Sequence, residues 1–244
     1  MQKITKNQLK EYSKLKQKKY RLELGKVIVE GSRLIEQLLQ NGIEPEAVFV
    51  TDETVLPPNL SATITVFGLE NWQLEKLTET ENPQKIAVVV KTEVPSLRKT
   101  DFLLYLDDIK EPGNLGTIFR TAAAAGIDGI VLSSGCCEIF NPKVIRASLG
   151  TVFSLPAEIH DESWLRNRKA HLIATTLRDA VNLYEASLPK GDIVLIIGSE
   201  AVGIRPEILE LADTKIKIPL SGQIESLNAA VATGIIIYHL KYGR

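Results

Sequence analysis

The sequence predicts an α/β protein: a small α/β unit followed by a larger, doubly wound domain on a parallel sheet. Three observations predict it. Continuous apolar runs recur through the second half, at 102–109, 129–134, 171–177 and 192–200, and such runs suit strands covered on both faces. Helical patterns separate them, which is the alternation of a parallel α/β sheet. The first half has another texture, with short β-branched runs beside amphipathic helices.

Each element has its own warrant. Residues 3–19 read as a polar helix. "GKVIVEG" (25–31) reads as a strand and "SRLIEQLLQNG" (32–42) as an amphipathic helix closed by Asn-Gly. "AVFVT" (47–51), "ATITVFG" (62–68) and "KIAVVV" (85–90) are further strands, with a short helix at 74–80. "KTEVPSLRKT" (91–100) is a polar linker containing Pro95. The boundaries are therefore 1–95 and 100–244. In the second domain "TKIKIPL" (214–220) is a fifth strand. Helices are expected at 114–126, 142–148, 162–170 and 205–211. The last helix, in 226–240, is apolar nearly all round and so expected to be buried.

The composition excludes several classes. Hydrophobic residues make up 44% and charged residues 24%, as in globular proteins. No apolar run approaches the roughly 20 residues a bilayer span needs, and the N-terminus lacks a signal-peptide core. The expectation is a cytoplasmic protein without a membrane partner. Cys136 and Cys137 are adjacent and read as small residues in a loop after a strand. No His/Cys/Asp cluster has metal-ligand spacing, so no metal is expected. The net charge is −1, but residues 1–26 carry net +7, from Lys3, Lys6, Lys10, Lys14, Lys16, Lys18, Lys19, Arg21 and Lys26 against Glu11 and Glu23. Such a block suits a polyanion or a solvated helix.

Three strand exits hold unusual residues. After 102–109, Pro112-Gly113-Asn114 reads as a turn before a helix whose core stripe is Leu115, Ile118, Phe119 and Ala122. Arg120 lies outside that stripe. A guanidinium there suits a phosphate, or it is a surface arginine. In "IIGSEAVGI" (196–204), Glu200 lies between Gly198 and Gly203. It can accept hydrogen bonds, orient an arginine or take a proton, or simply be solvated on a glycine turn. The absence of G-x-G-x-x-G argues against a nucleotide-binding oxidoreductase. In "IPLSGQIESLNAAVATG" (218–234), Ser226 is the expected cap of the last helix. Asn228, in its first turn, needs another partner.

Together, "LDDIKEPGNLGTIFRTA", "IIGSEAVGI" and "IPLSGQIESLNAAVATG" resemble, in order, the three motifs of the SpoU (TrmH) family of RNA ribose methyltransferases. "FNPKVIRASLG" (140–150) is similar to the family's segment between motifs one and two. "KKYRLELGKVIVEGSRLIEQLL" and "TETENPQKIAVV" resemble the start and end of the family's small RNA-binding domain. Glu111 stands where many relatives have aspartate, and Ala229-Ala230 where Val-Ser is commoner.

The resemblance implies a parallel α/β sheet with a deep C-terminal trefoil knot, preceded by a domain like a ribosomal RNA-binding protein. It implies a homodimer. It implies S-adenosyl-L-methionine as cofactor, held by Gly198, Ile218 and Leu227 with help from the loop after Thr175-Thr176. The reaction would be methylation of a ribose 2′-hydroxyl, on ribosomal rather than transfer RNA. Asn114, Arg120, Glu200, Ser226 and Asn228 would form the catalytic set: Arg120 gripping a phosphate, Asn114 and Glu200 orienting it or the ribose, Ser226 and Asn228 fixing the third motif. The alternative is a non-catalytic RNA-binding protein or RNA chaperone on the same scaffold. Methylation of a base is disfavoured because the motifs match the ribose group.

Overall fold

The architecture is that of a computed structural model, which describes residues 1–80, 82–187, 191–222 and 225–243. The chain runs through β1 (Gln2–Lys3), α1 (Lys6–Ser13), α2 (Lys18–Leu24), β2 (Lys26–Glu30), α3 (Ser32–Gln40), β3 (Ala47–Val50), β4 (Thr65–Gly68), α4 (Asn71–Leu77) and β5 (Ile86–Lys91). It continues through β6 (Phe102–Asp107), α5 (Pro112–Ala124), β7 (Gly129–Leu132), α6 (Pro142–Ala147), β8 (Ala157–Ile159), α7 (Ser163–Arg166) and β9 (His171–Thr175). It ends with β10 (Val181–Asn182), β11 (Ile193–Gly198), α8 (Pro206–Leu209), β12 (Thr214–Lys217) and α9 (Ala229–Tyr242).

Packing divides the chain into two units: Met1–Glu93 with Phe140–Ser154, and Val94–Ile139 with the chain from Leu155 onward. The changeover at Glu93–Val94 lies beside the expected linker, and one segment departs from the expectation. The 140–154 segment, assigned from sequence to the second domain, packs with the first unit. Val144 and Ile145 of α6 are buried. Gly150, at φ +79, lies so close to Leu34 and Leu38 that a Cβ would come within 3.0–3.1 Å of their methyl carbons.

The first unit holds a five-stranded mixed sheet in the order β1-β4-β3-β5-β2. The expected polar helix over 3–19 is broken. α1 tightens into a 3-10 turn at Lys14–Lys16, and Gln17 is extended before α2 starts. The cause is Arg21. Its guanidinium is buried and donates to the carbonyls of Leu15 and Lys16 at 3.1 and 2.7 Å, satisfying groups that a continuous helix would have bonded internally.

The second unit holds a seven-stranded sheet in the order β10-β12-β9-β11-β6-β7-β8, and every pairing in it is parallel. The four apolar runs form its middle, as expected of strands covered on both faces. The short β8 and β10 have no counterpart among the expected strands. Pro112-Gly113-Asn114 is not a turn but the first turn of α5. Glu111 caps it by accepting from Gly113 N at 3.4 Å, and proline suits the first helical position because it has no N–H to leave unbonded. Leu115, Ile118, Phe119 and Ala122 are fully buried, so the predicted stripe is the one that packs. α9 departs from expectation: Val231, Tyr238 and Tyr242 are about half exposed, on one side of it.

Candidate active site at the strand exits

The three motifs meet where β6, β11 and β12 end. β6 and β11 are neighbours whose last residues, Asp107 and Gly198, lie opposite one another. From Asp107 the chain enters α5, which carries Asn114. From Gly198 it makes a closed turn carrying Glu200, shut by reciprocal bonds between Ser199 and Gly203 at 3.1 and 2.9 Å. The backbone of Gly203 and Ile204 fills the place where a Cβ on Gly198 would stand. Only glycine allows so close a return.

A row of side-chain hydrogen bonds joins the motifs. Asn228 Nδ2 donates to Asn114 Oδ1 at 2.8 Å, and Asn114 Nδ2 donates to Glu200 Oε1. Asn228 Oδ1 accepts from the backbone N–H of Ala230 and Val231 at 3.0 and 3.2 Å. Asn228 is therefore the cap of α9, and the expected capping role of Ser226 is corrected. Asparagine caps as well as serine does, and its spare amide N–H is what reaches Asn114. Glu200 is bonded to Asn114 rather than to Arg120. Arg120 is exposed on α5, six residues on from Asn114, which is about 9 Å along the axis and on another face. Its side chain forms no hydrogen bond or ion pair among the described residues.

A cleft of about 130 Å³ opens beside this row. Thr175, Thr176 and Leu177 line it from the β9 exit, Ile218 and Leu220 from the β12 exit, and Ser226 and Leu227 from just before α9. Two of the three expected cofactor residues, Ile218 and Leu227, are thus in its wall. The third, Gly198, is not among its lining residues and instead seats the Glu200 turn. Among the described residues, Ile218, Leu220, Ser226 and Leu227 have no hydrogen-bond partner for their backbone groups. Apolar walls with convergent polar backbone suit a small, partly aromatic ligand.

Sequence reasoning missed one pair. Asp107 is fully buried, and Arg205 binds both its oxygens, through its own backbone N–H at 2.9 Å and its Nε at 3.0 Å. The available signal was an aspartate closing an apolar run, since carboxylates are almost never fully buried without a partner. Burial and this carboxylate push the Tyr105 phenol up to about 12. Burial also pushes the Cys136 thiol above its usual range, and both cysteines are half-buried. Among the described residues no group of His, Cys, Asp and Glu could hold a metal ion, and no helix is long and apolar enough to cross a membrane.

In the first unit the +7 segment divides by structure. Arg21 is internal, Lys14 pairs with Glu11 at 2.7 Å and Lys26 with Glu46 at 2.5 Å. Lys3, Lys6, Lys10, Lys18 and Lys19 remain exposed.

Residues 101–238, which hold this whole arrangement, match a family model described as the SpoU rRNA Methylase family. The chain belongs to the SpoU family. Residues 6–88 match an MRM3-like substrate binding domain, so this SpoU protein carries an added N-terminal module. It is 36% identical over 242 residues to the 23S rRNA (guanosine(2553)-2′-O)-methyltransferase RlmP of Bacillus subtilis, covering 97% of each chain. The structure of an AdoMet-bound rRNA methyltransferase from Sinorhizobium meliloti resembles it with a TM-score of 0.84 at 29% identity, over 98% of this chain and 95% of that one. An RNA 2′-O ribose methyltransferase structure matches with a TM-score of 0.80 at 31% identity, over 96% and 95%. The parallel α/β sheet inferred from the motifs is the sheet of these SpoU relatives.

Proposed function

We propose that the protein transfers the methyl group of S-adenosylmethionine to a ribose 2′-hydroxyl of ribosomal RNA. The observation that carries this is the Asn228–Asn114–Glu200 row, which joins all three motifs next to the cleft. The full-length likeness to a 23S rRNA 2′-O-methyltransferase supports ribosomal RNA over transfer RNA.

The cleft fits the cofactor by its chemistry. Leu177, Ile218, Leu220 and Leu227 offer apolar walls, and the backbone at Ile218 and Leu227, unbonded among the described residues, offers donors and acceptors. When bound, S-adenosylmethionine supplies an electrophilic sulfonium methyl. The chain must hold the ribose oxygen in line and ease removal of its proton. Glu200 is the carboxylate at hand, and Asn114 fixes its direction. Asn228 ties both to the cleft wall through its neighbour Leu227. Ser226, exposed and lining the cleft, turns a hydroxyl with no partner among the described residues toward cofactor or RNA. Arg120, unpaired and exposed, grips an RNA phosphate, a role suited to a guanidinium that stays protonated.

The finer topology and assembly belong to the same reading. β12 lies between β9 and β10, although β9 and β10 follow each other in the chain. The 176–180 connection therefore spans β12, which supports a deep trefoil knot. The half-exposed Val231, Tyr238 and Tyr242 support a homodimer formed on α9, because exposed apolar patches mark association surfaces. The N-terminal unit binds RNA through its exposed lysines, and the enzyme works in the cytoplasm. Replacing Lys6, Lys10, Lys18 and Lys19 by Gln flattens the dependence of RNA affinity on salt. An unchanged slope removes these lysines from the interface.

The deciding experiment is transfer of labelled methyl from S-adenosylmethionine to total RNA of a strain lacking this gene, with nucleosides identified by mass. A 2′-O-methylated nucleoside in ribosomal RNA is the expected product, and the guanosine named for the Bacillus subtilis relative is the first position to inspect. Cofactor binding without transfer to any RNA would favour the non-catalytic RNA-binding alternative.

A further inference from the structure

We propose that Arg205 is a positioning residue, setting the angle at which Glu200 meets Asn114 by way of the buried Asp107 carboxylate. The inference rests on the methyl-transfer reading and names a residue outside the motif residues assigned above.

The geometry is a closed loop of constraints. Glu200 rides on the 199–203 turn, and both ends of that turn are fastened to one residue. At its start, Gly198 lies opposite Asp107 in the β-ladder. At its end, Arg205 places its backbone N–H on Asp107 Oδ2 at 2.9 Å and its Nε on Oδ1 at 3.0 Å. The turn cannot stretch between these points. Its ends bond each other through Ser199 and Gly203, and Val202 N donates to Ser199 Oγ at 3.3 Å. Asp107 also closes the strand that leads into α5, so the base of Asn114 and the base of Glu200 share one anchor.

The residue type matters. The outer guanidinium nitrogens of Arg205 lie 3.7 Å from Glu162 and 3.4 Å from Glu207 while Nε faces Asp107. One planar fork thus holds three carboxylates in three directions. A lysine keeps the charge but is a single point, without the fork. Asp107 is fully buried while the Arg205 side chain is 39% exposed, so the anchor is shielded from water and its clamp is reachable from outside.

The test is Arg205→Lys, with cofactor affinity measured by calorimetry and turnover on RNA at saturating cofactor. Cofactor Kd should stay unchanged, because Arg205 does not line the cleft. Turnover should fall about tenfold to a hundredfold, the scale of an ångström misplacement. Combining it with Glu200→Gln should cost no more than Glu200→Gln alone, since residues acting through one another are not additive. Normal turnover in Arg205→Lys, or losses that multiply in the double variant, would overturn the proposal. Should Arg205→Lys not fold, Asp107→Asn keeps the shape and one acceptor oxygen; the same turnover loss at unchanged Kd is expected, and normal turnover there would equally overturn the proposal. Absence of transfer by the wild-type protein is a separate result and strikes the reading above, not this clamp.

Discussion

The β6 and β11 exits and the β12 exit lie on the same edge of one parallel sheet, with β9 between them, yet are built in opposite ways. At the first two, nearly every polar group is bonded: Asp107 to Arg205, Asn114 to Glu200, Ser199 to Gly203. At the third, Ile218, Leu220, Ser226 and Leu227 make no hydrogen bonds among the described residues. The difference suits the proposed division of labour between a reacting side and a binding side. A reacting group must be held at an angle before the substrate arrives, so its neighbours bond one another. A binding wall must keep its donors and acceptors for the ligand, so its neighbours leave them open. Asn228 belongs to both, capping α9 with one atom and reaching Asn114 with another.

The comparison can be broken from either side. Glu200→Gln should produce the largest effect. Turnover should drop about a hundredfold, the usual scale for a group assisting proton transfer, with cofactor Kd unchanged. Loss of cofactor binding in that variant would mean that the two sides are not separate. The reverse experiment is Ala232→Trp, which fills the cleft from α9. Cofactor Kd should rise at least about tenfold, or 1.4 kcal/mol, while turnover at saturating cofactor stays within about twofold. A fall in turnover with unchanged Kd would assign the cleft to something other than the cofactor.

The smallest effect serves as a control at a pair outside both the hydrogen-bonded row and the cleft lining. Glu158 accepts from His160 at 2.8 Å and from Leu97 N at 3.3 Å, and the bond from His160 chiefly holds its carboxyl below the ordinary glutamate range. A depressed carboxylate stabilises the fold above its unfolded pKa and loses that contribution as pH falls through its folded pKa. The pair is about a third exposed, so screening limits it to less than about 1 kcal/mol. Glu158→Gln should lower Tm slightly at pH 7, converge on the wild type as acid protonates Glu158, and leave turnover and cofactor Kd alone. A gap in Tm that does not narrow as pH falls would show that the ion is not what matters.

What was legible in the sequence was whatever is decided locally. Four apolar runs announced the middle of the parallel sheet, because a strand covered on both faces has few residues to choose from. The stripe Leu115, Ile118, Phe119 and Ala122 announced the buried face of α5. Asn114, Glu200 and Asn228 announced themselves as polar groups at apolar boundaries, and they meet. Illegible was whatever a distant partner decides. Arg21 breaks the N-terminal helix by bonding carbonyls five and six residues back, which periodicity does not reveal. The choice of Asn228 over Ser226 as cap is settled by Asn114, in a motif far away in the chain. The Asp107–Arg205 clamp spans 98 residues. The short β8 and β10 are too brief to leave a pattern of their own.

One of those brief strands puts a clock into the molecule. β10 pairs only with β12 among the described residues, and β12 comes later in the chain. Val181 and Asn182 must therefore wait, beside an empty slot, for a strand made after them. The middle of the sheet needs no such delay, since β6, β7, β9 and β11 pair among themselves. Most of the apolar interior can close while the cleft, whose walls come from both sides of β12, does not yet exist. The order in which this protein is made is not the order in which it is finished. A chain stopped just short of Thr214 would keep much of its core and own no cleft.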